Sequence, residues 1–173
     1  MKHAIRKRGV TLIETMVYIA LFSIIIGGAV IASYQIFESS GQSETRAMIQ
    51  EEGGFIIGKI NWTLSGAQAV TAPTLPLTQA CTESNTLAVI KWDTGMGVIL
   101  IDMLSGNIQM KRGGNPAVIL NNSNVSINNL QFTHCKSGSG EQESIKANLT
   151  LTAKTPSGRD LSQDFSTTQY LRK

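Results

Sequence analysis

The stretch MKHAIRKRGVTLIETMVYIALFSIIIGGAVIASYQIF, residues 1–37, decides the fold, because it joins a basic leader to a long apolar segment. Four basic residues come first: Lys2, Arg6, Lys7 and Arg8. Glu14 is the only charged residue between Gly9 and Glu38. An ionisable group inside a membrane segment costs about 2.5 to 3.5 kcal/mol on insertion scales, which makes Glu14 a candidate functional residue.

The apolar segment is long enough to cross a membrane. Thr15–Phe37 contains 23 uncharged residues, a helical length of about 34 Å against a hydrocarbon core of about 30 Å. No cleavage site of the A-x-A kind closes the run, so we expect the helix to remain on the mature protein. The basic leader predicts that the amino terminus stays in the cytoplasm and the carboxyl-terminal part faces outward.

The basic character of the chain belongs to its leader. The chain has 173 residues, enough for one globular domain and an appendage. Its pI is about 9.0, but removing the four leader residues from the 15 basic ones leaves 11 against 12 acidic residues. Lys111-Arg112 is an isolated pair and Lys91-Trp92 a single basic–aromatic step. We therefore expect no direct nucleic-acid binding.

After Phe37 the helical period continues in amphipathic form and predicts one long helix over residues 11–66. Its apolar positions are Met48, Phe55, Ile56, Ile60, Leu64 and Ala67. Strand patterns follow it at residues 86–92, 97–103, 107–112, 126–134, 145–154 and 161–171. Because no helical pattern separates them, they predict an α+β fold in which the long helix packs on an antiparallel β-sheet.

The segment KRGVTLIETMVYIALFSIIIGGAVI resembles the amino terminus of type IV pilins and of the pseudopilins of type II secretion. The resemblance implies cleavage between Gly9 and Val10 by a prepilin peptidase, methylation of the new amino terminus at Val10, and a role for Glu14 in assembly and register. The family usually has Phe in place of Val10, and many major pilins have Pro in place of Ile31. Because this proline is missing, and because NVSINNLQF at residues 124–132 is followed by a last strand that ends in Leu-Arg, the likeness is closer to minor pilins or pseudopilins.

These patterns divide the chain into five parts. Residues 1–9 are a basic leader, which the resemblance implies is cleaved, and residues 10–37 are an apolar transmembrane helix, which the resemblance implies also forms the filament core. Residues 38–66 are the amphipathic continuation of this helix. Residues 67–85 form a connecting loop, and residues 86–173 form the antiparallel β-sheet domain.

The function implied by the resemblance is structural and not enzymatic. The chain would be a subunit, minor rather than major, of a type IV pilus or a type II secretion pseudopilus. It would sit in the cytoplasmic membrane before assembly into a cell-surface or periplasmic filament. The implied partners are a prepilin peptidase and methyltransferase, an assembly ATPase, a platform membrane protein and other pilin or pseudopilin subunits. The alternative is a membrane-anchored extracytoplasmic binding or adhesion domain that does not polymerise.

A charge pair accounts for Glu14 in physical terms. Cleavage creates a cationic α-amino group at Val10, and a carboxylate in an apolar medium needs such a partner to offset its desolvation. A neighbouring subunit in a filament would supply the amine. The pair would define the register between subunits, since a slipped subunit leaves a buried charge unpaired.

The remaining candidate residues are Cys81 and Cys135, the only two cysteines. Both fall in the outward-facing part, where disulfides persist, so a bridge is favoured over two free thiols. No cofactor is expected, and His134 is the only histidine beyond the leader. The resemblance leaves a structural calcium ion open, because some pseudopilins hold one.

Overall fold

The computed structural model describes residues 11–75, 80–91, 97–136 and 142–171. The chain divides into two units, residues 1–41 and residues 42–173. The first is helical throughout its described part from Leu12 onward, and the second contains the rest of the helix and all the described strands.

One helix and nine strands make up the described structure. The helix α1 is Leu12–Leu64. The strands are β1 Ala67–Ala72, β2 Cys81–Ser84, β3 Leu87–Lys91, β4 Val98–Leu104, β5 Asn107–Arg112, β6 Val118–Ile119, β7 Val125–Lys136, β8 Glu143–Lys154 and β9 Asp160–Tyr170. A long amino-terminal helix packed on antiparallel β-sheets is the predicted α+β, pilin-like fold.

In the second unit, α1 buries a stripe with helical spacing. Its buried residues are Thr45, Ile49, Gly53, Ile56, Ile60, Thr63 and Leu64. Steps of three and four residues keep these side chains on one face of a helix. The helix ends before Gly66, whose φ of 73° lies in the left-handed region that favours glycine after a helix.

The strands form two antiparallel sheets, where the sequence predicts one. The first sheet has the order β1-β3-β4-β5-β6 and the second has the order β2-β7-β8-β9. The division arises because β2 pairs with β7, so that Cys81 lies opposite Cys135, instead of pairing with β3, which follows it in sequence. Pairing between strands that are far apart in sequence cannot be predicted from the local periodicity of either strand.

Residues 67–85, expected to form a connecting loop, contain two strands. Strand β1 pairs with β3 through two irregularities in register, and β2 is only four residues long. Neither AQAVTA nor CTES alternates apolar with polar residues. Their extended conformation therefore depends on their partner strands and not on their own sequence.

The two sheets and the helix share one hydrophobic core in the second unit. Residues of β3, β4 and β5 meet residues of β7 and β8 and the buried stripe of α1 in a single cluster. Asn121 connects the sheets: its Oδ1 accepts the Ile108 amide at 2.9 Å, and its Nδ2 donates to the Val125 carbonyl at 2.8 Å. This side chain is buried, and each of its polar ends has a partner.

Candidate functional site

The first unit exposes its apolar side chains. Large hydrophobic residues from Leu12, 79% exposed, to Phe37, 77% exposed, surround this part of the helix. It contains a window of 18 residues that is long and apolar enough to cross a membrane, and none of that window is buried. An exposed apolar surface of this extent needs lipid or other apolar helices to cover it.

Glu14 lies in the first turn of this helix and has a side-chain partner. The phenol of Tyr18 donates a hydrogen bond to Glu14 Oε1, and the two oxygen atoms are 3.0 Å apart. Residues four apart in a helix face one another across one turn. Sequence reasoning singled out Glu14 and missed Tyr18, although the spacing i, i+4 was a signal that could have identified it.

Other polar side chains in the apolar segment bond to the helix itself. The hydroxyl of Thr15 donates to the Leu12 carbonyl at 2.7 Å. Ser23 and Ser33 donate in the same way to carbonyls four residues earlier, at 2.8 and 2.9 Å. Internal bonding of this kind suits an apolar medium, where no water can satisfy a polar group.

The predicted processing site, Gly9 and Val10, lies outside the described residues. Glu14, predicted as the assembly residue, is on the exposed part of α1. The helical geometry within the described residues places Glu14 and Tyr18 together.

Cys81 and Cys135 form a disulfide across β2 and β7, with their Cα atoms 4.1 Å apart. The neighbouring His134 is buried, and its Nδ1 lies 2.8 Å from the Pro73 carbonyl. Because a carbonyl only accepts, Nδ1 carries the proton in this contact. His134 Nε2 lies 3.5 Å from Glu143 Oε2. The disulfide joins β2 to β7, the Glu143 contact joins β7 to β8, and the Pro73 contact joins β7 to the residue that follows β1 of the first sheet.

A cluster of two cations around one aromatic ring, which the sequence does not reveal, lies at the carboxyl end of α1. Lys91 Nζ is 3.6 Å from the centroid of the Trp62 ring, and the Arg112 guanidinium is 4.8 Å from it. Lys91 also donates to the Trp62 carbonyl at 2.5 Å. Burial, and secondly the charge of Arg112, lower the pKa of Lys91. Lys91 and Arg112 thus bind the helix end to the first sheet.

Within the described ranges, no three or more His, Cys, Asp or Glu side chains form a group that could hold a metal ion. A polar cleft of about 740 Å³ lies between α1 and the turns at the ends of β7 and β8, with Glu44, Asn128 and Asp160 in its wall. A more apolar groove of about 430 Å³ is lined by Phe55, Ile119 and other residues.

Comparison with known proteins gives a match to a family model. Residues 5–30 match the family described as "Prokaryotic N-terminal methylation motif". The matched residues include Gly9, Val10, Glu14 and Tyr18. No curated protein and no solved structure matches the chain.

Proposed function

The prepilin-type methylation motif at residues 5–30 supports the type IV pilin and pseudopilin family, and on that premise we propose that the chain is a structural subunit, minor rather than major, of a pilus or a secretion pseudopilus. The single observation that carries the proposal is the motif in register with an exposed apolar helix. The motif implies processing by a prepilin peptidase and assembly with other pilin-type subunits.

The proposed sequence of events starts in the cytoplasmic membrane. The basic leader stays on the cytoplasmic side and the unit of residues 42–173 faces outward. The peptidase hydrolyses the bond between Gly9 and Val10, and the new amino terminus is methylated. An assembly ATPase and a platform membrane protein then move the subunit into a filament, where apolar helices of neighbouring subunits replace lipid around residues 10–37.

Glu14 has a definite part in the proposed assembly. In the filament its carboxylate pairs with the α-amino group of a neighbouring subunit, which offsets the desolvation of both charges. The pair forms in one register only, because any other leaves the carboxylate without a cation.

Mass and amino-terminal sequence of the protein recovered from processing-competent cells test the proposed function. We expect a chain that begins at Val10 and carries one additional methyl group. A chain that still begins at Met1 would contradict the proposal. It would favour the alternative, a membrane-anchored binding or adhesion domain that does not polymerise.

Replacement of Glu14 tests its part in assembly. We expect Glu14→Leu to insert into the membrane as the wild type does, because it removes a charge from an apolar segment. Its incorporation into filaments should fall at least about tenfold, since the loss of one charge pair in an apolar medium exceeds 1.4 kcal/mol. Glu44→Leu, which removes an exposed carboxylate from the same helix beyond the apolar segment, is the control. Normal incorporation of the Glu14 variant, measured in sheared filament fractions, would contradict this role.

A further inference from the structure

The hydrogen bond between Tyr18 and Glu14 joins two side chains that the helix itself brings together. Side chains on an α-helix lean towards its amino terminus, so a long residue at i+4 covers the side chain at i. Tyr18 therefore extends over Glu14, and its hydroxyl lies 3.0 Å from Oε1. Since both residues are on one helix, the contact is available to a single subunit before any assembly.

Glu14 lies in the first turn of α1, and its carboxylate accepts a hydrogen bond from a side chain one turn further along. The hydroxyls of Thr15, Ser23 and Ser33 can donate to carbonyls of the preceding turn. An ionised carboxylate only accepts, and it cannot use those carbonyls. Lipid supplies no donor either. The phenol of Tyr18 is the side-chain donor to Glu14 found among the described residues.

Tyrosine is suited to this position in a membrane helix. Its ring is apolar and its hydroxyl is polar, so it can bring a donor to a carboxylate and cover the contact with hydrocarbon. Tyr34, on the same helix, is also exposed but has no acidic residue four positions earlier, where Val30 stands. It provides a matched comparison.

We propose that Tyr18 is a positioning residue that holds the Glu14 carboxyl group while the subunit lies in the membrane, and that Glu14 exchanges this phenol for the amine of a neighbouring subunit on assembly. The exchange rests on the proposed function; the contact in the membrane does not. It follows that the hydroxyl stabilises the membrane-inserted subunit relative to the filament. Removing it should favour assembly, whereas a merely structural tyrosine would support assembly and its loss would reduce it.

Infrared spectroscopy of the full chain in lipid vesicles tests the contact without any filament. The difference between the wild type and Glu14→Gln identifies the stretching bands of the Glu14 carboxyl group. We expect Tyr18→Phe, which removes only the hydroxyl, to shift these bands, and Tyr34→Phe to leave them in place. Bands unchanged by Tyr18→Phe would overturn the proposal, whatever the protein does in cells.

The ratio of filament-incorporated to membrane-retained subunit tests the exchange. We expect Tyr18→Phe to raise this ratio about threefold, the factor typical of one side-chain hydrogen bond in a membrane protein. The effect should vanish in the Glu14→Gln background, because the hydroxyl then has no carboxylate to hold. Tyr34→Phe should match the wild type.

The two measurements separate the possible failures. An unchanged or lowered ratio in Tyr18→Phe, in a wild type that does form filaments, would overturn the exchange. A wild type that is neither cleaved at Gly9 nor found in filaments would overturn the proposed function, and the infrared bands would still decide whether Tyr18 holds Glu14.

Discussion

Gly53 allows the second sheet to lie close to the helix. A Cβ atom at this position would lie 2.2 Å from Cζ of Phe165 on β9, well inside van der Waals contact. A Cβ atom at Gly54, the next residue, would have no neighbouring atom within 4 Å. The same substitution at these two glycines therefore has opposite consequences.

We expect Gly53→Ala to lower the free energy of unfolding by about 1 to 3 kcal/mol, since the Phe165 ring must move out of its packed position. Gly54→Ala should raise it by up to about 1 kcal/mol, because alanine favours an exposed helical position over glycine. Urea unfolding of the full chain in detergent micelles, followed by tryptophan fluorescence, measures both. Similar effects of the same sign would contradict the close contact.

At the scale of elements, we expect the position of β2 to depend on the disulfide between Cys81 and Cys135. It is four residues long, its one pairing partner among the described strands is β7, and none of its own residues is buried. The disulfide that joins it to β7 spans 54 positions of sequence. The entropy of closing a loop of this length corresponds to about 4 kcal/mol of stability.

Replacing both Cys81 and Cys135 by alanine should therefore lower the free energy of unfolding by up to about 4 kcal/mol. The reason is that the unfolded chain regains its freedom, while the core residues of the other strands are unchanged. Urea unfolding with and without a thiol reductant measures the effect, and reductant should destabilise the wild type alone. A double variant as stable as the oxidised wild type would disprove this expectation.

The sequence predicts the long elements and not their arrangement. Strands lie at all six runs with a strand pattern, because alternation as in Ile145–Lys154 reports one buried face directly. The short strands β1, β2 and β6 have no such pattern, and their pairing partners decide their conformation. The division into two sheets depends on contacts between residues far apart in the chain, such as the Cys81–Cys135 pairing, which local periodicity cannot report.

The candidate site, like the fold, could be predicted only in part from the sequence. Glu14 stands out because a charge interrupts an apolar run, whereas Tyr18 does not, because tyrosine is common in membrane helices. The contacts of Lys91 and Arg112 with Trp62 join three elements and require the fold. Sequence reasoning treated these basic residues as isolated, since they are 21 positions apart.

On the scale of the whole molecule, the two units differ in whether their apolar side chains are buried or exposed. Among the described residues, those of the hydrophobic core lie between Ile49 and Leu171, whereas the large hydrophobic residues from Leu12 to Phe37 are exposed. The unit of residues 42–173 thus has its own hydrophobic core, which a domain needs in order to fold alone. The exposed apolar side chains between Leu12 and Phe37 need an apolar environment.

We therefore expect the fragment of residues 42–173 to be soluble without detergent, to form the Cys81–Cys135 disulfide, and to unfold cooperatively. Its free energy of unfolding should agree with that of the full chain in micelles within about 1 kcal/mol, because distant and independent parts contribute additively to stability. Intact mass before and after reduction and alkylation detects the disulfide, and urea titration measures the stability. Addition of residues 12–41 to the fragment should transfer it to the membrane fraction. An aggregated or unfolded fragment would mean that the core requires the apolar half of the helix, and membrane anchoring would then be inseparable from folding.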